Sequence, residues 1–247
     1  MNQVLILGRR RQGKSTLALA LAASRGSVVI YDPNGVFSCY LTTSSPQRIL
    51  AELENGHERV IVFRPRFQFK ENDFEALCLA LWPLDSDKPR FQDYSFIVDE
   101  ASCIQTPSRI HPQLERLLRL APRDILIIQT AHRLVDTHRL SRALATDVFL
   151  FHNGSGKDLE LIATEFESED LRNRVAGLGE YEVAHYTILS GGKRMFWVWK
   201  RPGAWYLPLS EEEEEYRVRE ETYGRPAYPG SGATATGRTE TSISSAT

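Results

Sequence analysis

Residues 8–15 read Gly8-Arg9-Arg10-Arg11-Gln12-Gly13-Lys14-Ser15, a G-x-x-x-x-G-K-S run followed by Thr16. These residue types at this spacing suit a polyphosphate cradle. Glycine lets the backbone turn its N–H groups inward, Lys14 reaches the outer phosphates, and Ser15 offers its hydroxyl to Mg²⁺. The predicted nucleotide-binding set is Gly8, Arg11, Gln12, Gly13, Lys14, Ser15 and Thr16. Arg9, Arg10 and Arg11 either touch phosphate, stack on the nucleotide, or stand as solvated side chains at a loop tip. A second group of reactive residues, Asp99-Glu100, follows the apolar run 94–98. Asp99 at a strand end would share the Mg²⁺ shell with Ser15, and Glu100 would orient or deprotonate an attacking water.

Three further residues bear on the same chemistry. Gln129 follows the apolar run 125–128. If that strand lies between the cradle and the acidic strand, Gln129 would sense the terminal phosphate; otherwise backbone groups satisfy it. Arg119 and Arg123 fall between a short amphipathic segment and this strand, with no obvious carboxylate partner inside the chain. Either arginine would serve as a finger inserted into a neighbouring subunit's site, or both belong to a solvated basic face.

The elements that must position these groups are legible as short runs. Apolar stretches at 4–7, 27–31, 59–63, 94–98, 125–128 and 148–151 read as buried strands, and 16–22, 73–81 and 113–120 have helical spacing. Continuous apolar runs alternating with helices imply a mostly parallel sheet covered on both faces, with ligands at the carboxyl ends of its strands. Residues 181–189 and 195–200 flank Ser190-Gly191-Gly192-Lys193 and read as an antiparallel hairpin. In residues 224–247, 19 of 24 are Gly, Pro, Ala, Ser or Thr, which predicts a disordered tail. The expected division is an α/β domain over 1–208, an acidic segment over 209–223 and the tail over 224–247.

At 247 residues and 42% hydrophobic content the chain suits one sizeable core. Residues 211–222 hold seven Glu and two Arg, a net of −5, so with −2 overall the remainder is mildly basic at +3. A polycation that coats nucleic acid without selection is thereby excluded. Cys39, Cys78 and Cys103 lack C-x-x-C spacing, offer no zinc site or disulfide framework, and suit a reducing compartment. The longest run of small apolar residues, 17–23, falls far short of the ~20 needed to span a bilayer, so a soluble, intracellular protein is expected.

The order GRRRQGKST, VVIYDPNG, FIVDEAS, LLRLAPRDILIIQTAHRLVD and TDVFLFH resembles the FtsK/HerA superfamily of DNA-pumping P-loop ATPases. The likeness is greatest to the genome-packaging ATPases of tailless, membrane-containing (tectivirus-like) viruses, and it covers roughly residues 2–200. It implies a RecA-like fold and ATP with Mg²⁺ as cofactors. It further implies a homo-oligomeric ring, usually hexameric, that drives double-stranded DNA and works with capsid or membrane-associated packaging proteins. Residue by residue, Lys14 and Ser15 serve nucleotide and metal, Asp99 metal, Glu100 hydrolysis, Gln129 the sensor, and Arg119 or Arg123 the finger. The order Gln129-Thr130-Ala131-His132 departs from many relatives, so His132 is an alternative sensor. The resemblance places the protein in the host cytoplasm, with a packaging vertex of the virion as a second location.

DNA contact would fall to Arg64, Arg66, Lys70, Lys88 and Arg90, with Phe67, Phe69 and Phe91 interleaved, or these residues are surface and packing. Two other classes compete. A small-molecule kinase generally avoids a water-activating glutamate, so Glu100 argues against it. A morphogenesis or secretion ATPase resembling zonula-occludens-toxin homologues shares the core but typically carries a membrane span, and none is visible here.

Overall fold

The computed structural model describes residues 3–56, 58–84, 89–120, 124–180, 182–188, 194–200 and 241–243. The chain divides into two compact units, Met1–Val148 and Phe149–Thr247. The first runs β1 (Gln3–Leu7), α1 (Lys14–Ala22), β2 (Ser27–Tyr31), β3 (Leu41–Thr43), α2 (Pro46–Asn55), β4 (Val60–Phe63), α3 (Lys70–Leu81) and β5 (Tyr94–Val98). It continues through the two-residue strands β6 (Gln105–Thr106) and β7 (Arg109–Ile110) to α4 (Pro112–Leu120), β8 (Leu126–Ala131) and α5 (Arg139–Leu144).

Six of these strands form a sheet in the order β1-β8-β5-β2-β4-β3, every neighbouring pair parallel. β2, β4, β5 and β8 are apolar along nearly their whole length because helices cover both faces and no position is left for water. On one face, Val29, Tyr31, Phe96, Val98 and Ile127 pack with Ile49 of α2, Phe74 and Leu77 of α3, and Leu114, Leu117 and Leu118 of α4. The Phe74 ring stacks on Phe96 at 6.2 Å and meets Tyr31 edge-on at 5.0 Å. Burying each such side chain contributes about 1.5–3 kcal/mol. On the opposite face lies α1, whose buried residues Leu17, Ala18, Leu21 and Ala22 recur at helical spacing. Ser95 Oγ of β5 donates to the Ala22 carbonyl at 3.0 Å, tying the end of α1 to the sheet.

The second unit takes in β9 (Asp147–Phe151, which begins at the end of the first), α6 (Gly156–Glu165), α7 (Glu169–Ala176), β10 (Glu182–Ile188), β11 (Arg194–Lys200) and β12 (Thr241–Ile243). β10 and β11 pair antiparallel from Glu182↔Lys200 to Ile188↔Arg194, the hairpin expected from the sequence. His185 stacks on Phe149 at 4.1 Å, and Trp199 meets the same Phe149 ring edge-on at 5.6 Å. The acidic segment 209–223 lies outside the described residues, as does the expected disordered tail apart from 241–243. Those three residues are extended and pair antiparallel with β11.

Helix α1 starts at Lys14 rather than Thr16, and α2, α5, α6 and α7 were not foreseen. Helix α2 nonetheless carries its own start and stop. Ser45 Oγ accepts from the Arg48 amide, Pro46 occupies the first turn, and Gly56 ends it at φ +65°. Its apolar face is short, with only Ile49 buried, which is why periodicity alone passes over it.

Candidate active site

The loop after β1 leaves the sheet beside β8, where the Gly8 amide donates to the Ala131 carbonyl at 3.2 Å. Arg11 and Gly13 adopt left-handed conformations, φ +65° and +94°, and the Arg9 amide donates to Gln12 Oε1 across the loop. Alternating backbone hand of this kind turns successive amides toward one centre. Gly13 caps α1 with no side-chain hydrogen bond, so the first-turn amides of the helix remain available to an anion. Lys14 is buried, its Nζ donating to the Arg9 carbonyl at 3.1 Å and meeting His132 Nδ1 at 3.2 Å. Burial pulls the Lys14 pKa below the ordinary lysine value, while Glu100 and Asp99 act in the opposite direction.

Asp99 and Glu100 follow β5, which lies between β2 and β8. Ser15 Oγ donates to Asp99 Oδ1 at 3.3 Å, Thr130 Oγ1 donates to the same oxygen at 2.8 Å, and the Glu100 amide donates back to Thr130 Oγ1 at 3.0 Å. Burial raises the Asp99 pKa, Thr130's hydrogen bond lowers it, and the charges of Asp32 and Glu100 raise it further. A buried carboxylate beside two other carboxylates is the electrostatic setting that a divalent cation relieves. Among the described residues no group of three or more His, Cys, Asp or Glu is placed to hold a metal ion; a cation would rest on Ser15, Asp99 and phosphate oxygens. That donor set suits Mg²⁺, which takes one or two protein ligands plus phosphates.

Glu100 is itself left-handed, at φ +51° and ψ +59°, a conformation that costs a side-chain-bearing residue roughly 1–2 kcal/mol. Its Oε1 accepts from Ser102 Oγ at 2.6 Å, and its Oε2 lies 3.0 Å from His132 Nε2.

The fold thus brings Gly8, Gly13, Lys14, Ser15, Asp99 and Glu100 to one place. Gln129 is a correction. It lies on β8 between β1 and β5 as expected, paired with Leu5 and Val98, but strand alternation sends its side chain to the other face. There Gln129 Oε1 accepts from Gln105 Nε2 at 3.1 Å, and Gln105 Oε1 in turn accepts from Ser141 Oγ at 2.7 Å. The β8 side chain at the acidic pair is Thr130, and His132 just beyond it reaches both Lys14 and Glu100. Arg119 is a second correction. Its Nε donates to Glu115 Oε1 at 2.8 Å one helical turn away, so it does have a carboxylate partner. Arg123 lies outside the described residues, while Arg11 and its two arginine neighbours are exposed.

Two of the basic residues considered for DNA contact have internal work. Arg64 pairs with buried Asp32 at 3.1 Å. Arg66 grips Asp73 with Nε and Nη2 at 3.1 and 2.6 Å, which holds that carboxyl below its usual pKa. Lys70 lies over the exposed Phe67 ring at 5.5 Å. Lys88 lies outside the described residues. Asp32 went unnoticed in the sequence beyond its turn. Its two oxygens accept the Val36 and Phe37 amides at 3.0 Å, fixing the loop beside Asp99.

Parallel strands with a glycine-rich loop, a buried cradle lysine and a strand-end acid on the serine define a P-loop NTPase fold. Solved structures share it. Similarity over the chain extends to the genome-packaging NTPase B204 of Sulfolobus turreted icosahedral virus 2 in complex with AMPPCP. It is 21% identical with TM-score 0.62, covering 82% of this chain and 98% of that one. B204, the DNA-packaging ATPase from Sulfolobus turreted icosahedral virus, is 21% identical with TM-score 0.58 over 82% and 100%. VirB4 of Thermoanaerobacter pseudethanolicus is 14% identical with TM-score 0.56 over 84% and 91%. No protein-family model matches the chain, and no curated protein does.

Proposed function

We propose that this protein is a Mg²⁺-dependent ATPase that translocates double-stranded DNA, as a genome-packaging motor does. The observation that carries the reading is the meeting of Lys14, Ser15, Asp99 and Glu100, from two segments 84 residues apart in sequence, with Ser15 Oγ 3.3 Å from Asp99 Oδ1. The loop amides and Lys14 hold the β- and γ-phosphates. Ser15 and Asp99 would hold Mg²⁺, which when bound would neutralise charge on the phosphate oxygens. Glu100 accepts hydrogen-bonding protons from a water and aims it in line at the γ-phosphate. The fold likeness to a packaging NTPase in complex with an ATP analogue supports this choice of nucleotide and task.

The motor is a homo-oligomeric ring, hexameric by the resemblance, recruited by capsid or membrane-associated packaging proteins in the host cytoplasm and at a virion vertex. Among the described residues no helix is long and apolar enough to cross a membrane.

ATP turnover measured with and without duplex DNA tests the task. Stimulation is expected at low salt, with DNA affinity falling by about 10³-fold or more between 50 and 200 mM salt if six or more phosphates are contacted. Turnover indifferent to DNA at every salt concentration would favour a morphogenesis or secretion ATPase instead. Subunit mixing tests the finger. Arg119→Ala and Arg123→Ala proteins are each combined with Lys14→Ala protein, and the variant of the true finger regains part of its activity because its intact cradle receives the intact arginine of a Lys14→Ala neighbour. Arg119's exposed pair with Glu115 is no obstacle, since such pairs contribute about 0.3–0.5 kcal/mol. If neither mixture recovers activity at any ratio, both arginines lose the assignment.

A further inference from the structure

We propose that His132 is a positioning residue that ties the hydrolytic carboxylate of Glu100 to the cradle lysine; this rests on the ATPase reading above. The ring stands between two groups of opposite hydrogen-bonding character. Its Nδ1 is 3.2 Å from Lys14 Nζ, and its Nε2 is 3.0 Å from Glu100 Oε2. An ammonium only donates and an ionised carboxylate only accepts. The imidazole between them therefore accepts at Nδ1 and donates from Nε2, which selects one neutral tautomer. The Gly8 carbonyl, 3.4 Å from Nδ1, would favour the other tautomer, but it is the longer contact and lacks charge assistance.

The chain Lys14 to His132 to Glu100 survives the arrival of phosphate. Lys14 has three N–H donors and spends one on the Arg9 carbonyl. By releasing that carbonyl and turning donors to the triphosphate it can keep the bond to Nδ1. The ring then fixes Oε2 relative to the lysine that touches the γ-phosphate, while Ser102 fixes Oε1. Glu100 lies beyond the end of β5, where Thr130 holds its amide but its carboxylate takes its contacts from Ser102 and His132.

The test measures kcat, and separately the affinity for the Mg²⁺ complex of a non-hydrolysable ATP analogue. In His132→Ala, kcat is expected to fall by about 100-fold, the cost of an ångström-scale misplacement, with analogue affinity held within about threefold. His132→Gln restores most of kcat, because its amide offers an acceptor and a donor at nearly the imidazole spacing; His132→Asn, one bond shorter, does not. In a Glu100→Gln background the loss from His132→Ala shrinks to within about threefold, as expected for a residue acting through Glu100.

An equal loss in both backgrounds, or an unchanged kcat in His132→Ala, overturns the proposal while leaving the ATPase reading intact. Should His132→Ala not fold, the comparison of Gln with Asn decides by the same criterion, and equal rates in the two overturn it. A parent protein that neither binds the analogue nor hydrolyses ATP removes the reading and this proposal together.

Discussion

Glu100→Gln is expected to bind ATP with near-parental affinity and to hydrolyse it at least 100-fold more slowly, within the 10²–10⁴-fold range of general-base catalysis. The amide keeps the size of the carboxylate and one of its two acceptor oxygens, so it can receive the hydrogen bond from Ser102 or from His132, but it has no charge with which to draw the water's proton. Binding should not suffer, because phosphate contact is assigned to the loop amides and Lys14. Burial is the main cause of the raised Asp99 pKa, and removing the Glu100 charge lessens the smaller repulsion that adds to it. Calorimetric binding beside steady-state turnover separates the two effects. A variant that turns over normally would end the assignment of Glu100.

Lys14→Ala should lose tight ATP binding. Hydrogen bonds to a charged group contribute about 1.5–3 kcal/mol each, so two such bonds to phosphate correspond to about a 10²–10⁴-fold loss of affinity. Stability should move little, for two opposed reasons. The buried ammonium pays a desolvation cost, visible in its lowered pKa, and it also balances Asp99 and Glu100. Analogue titration and thermal melting distinguish loss of binding from loss of fold. Unchanged affinity in a folded variant would mean that the loop does not hold the triphosphate.

The cradle was legible because its chemistry lies in eight contiguous residues between an apolar run and a helix, where spacing alone implies geometry. The acidic pair was legible for the same reason, as was the parallel sheet, since strands buried on both faces read as unbroken apolar runs. What stayed hidden depended on the third dimension. Gln129 and Thr130 are adjacent and both polar, and only the face on which α1 packs decides which one meets Asp99. The bond from Arg64 to Asp32 joins segments that come together through the pairing of β2 with β4, a pairing with no local signature. Arg119 differs, because Glu115 stands four residues before it in an amphipathic helix, and that spacing alone signals a surface ion pair. The start of α2 was equally readable from Ser45-Pro46, but its single buried residue left the periodicity too faint.

The backward bend of the main chain at Glu100 carries a lesson for engineering. Heat resistance alone would favour glycine or asparagine there, the residues that tolerate this hand with least penalty. A screen rewarding only thermal endurance would therefore drift toward a hardier protein that has lost its acid, so position 100 should be held fixed in any such campaign.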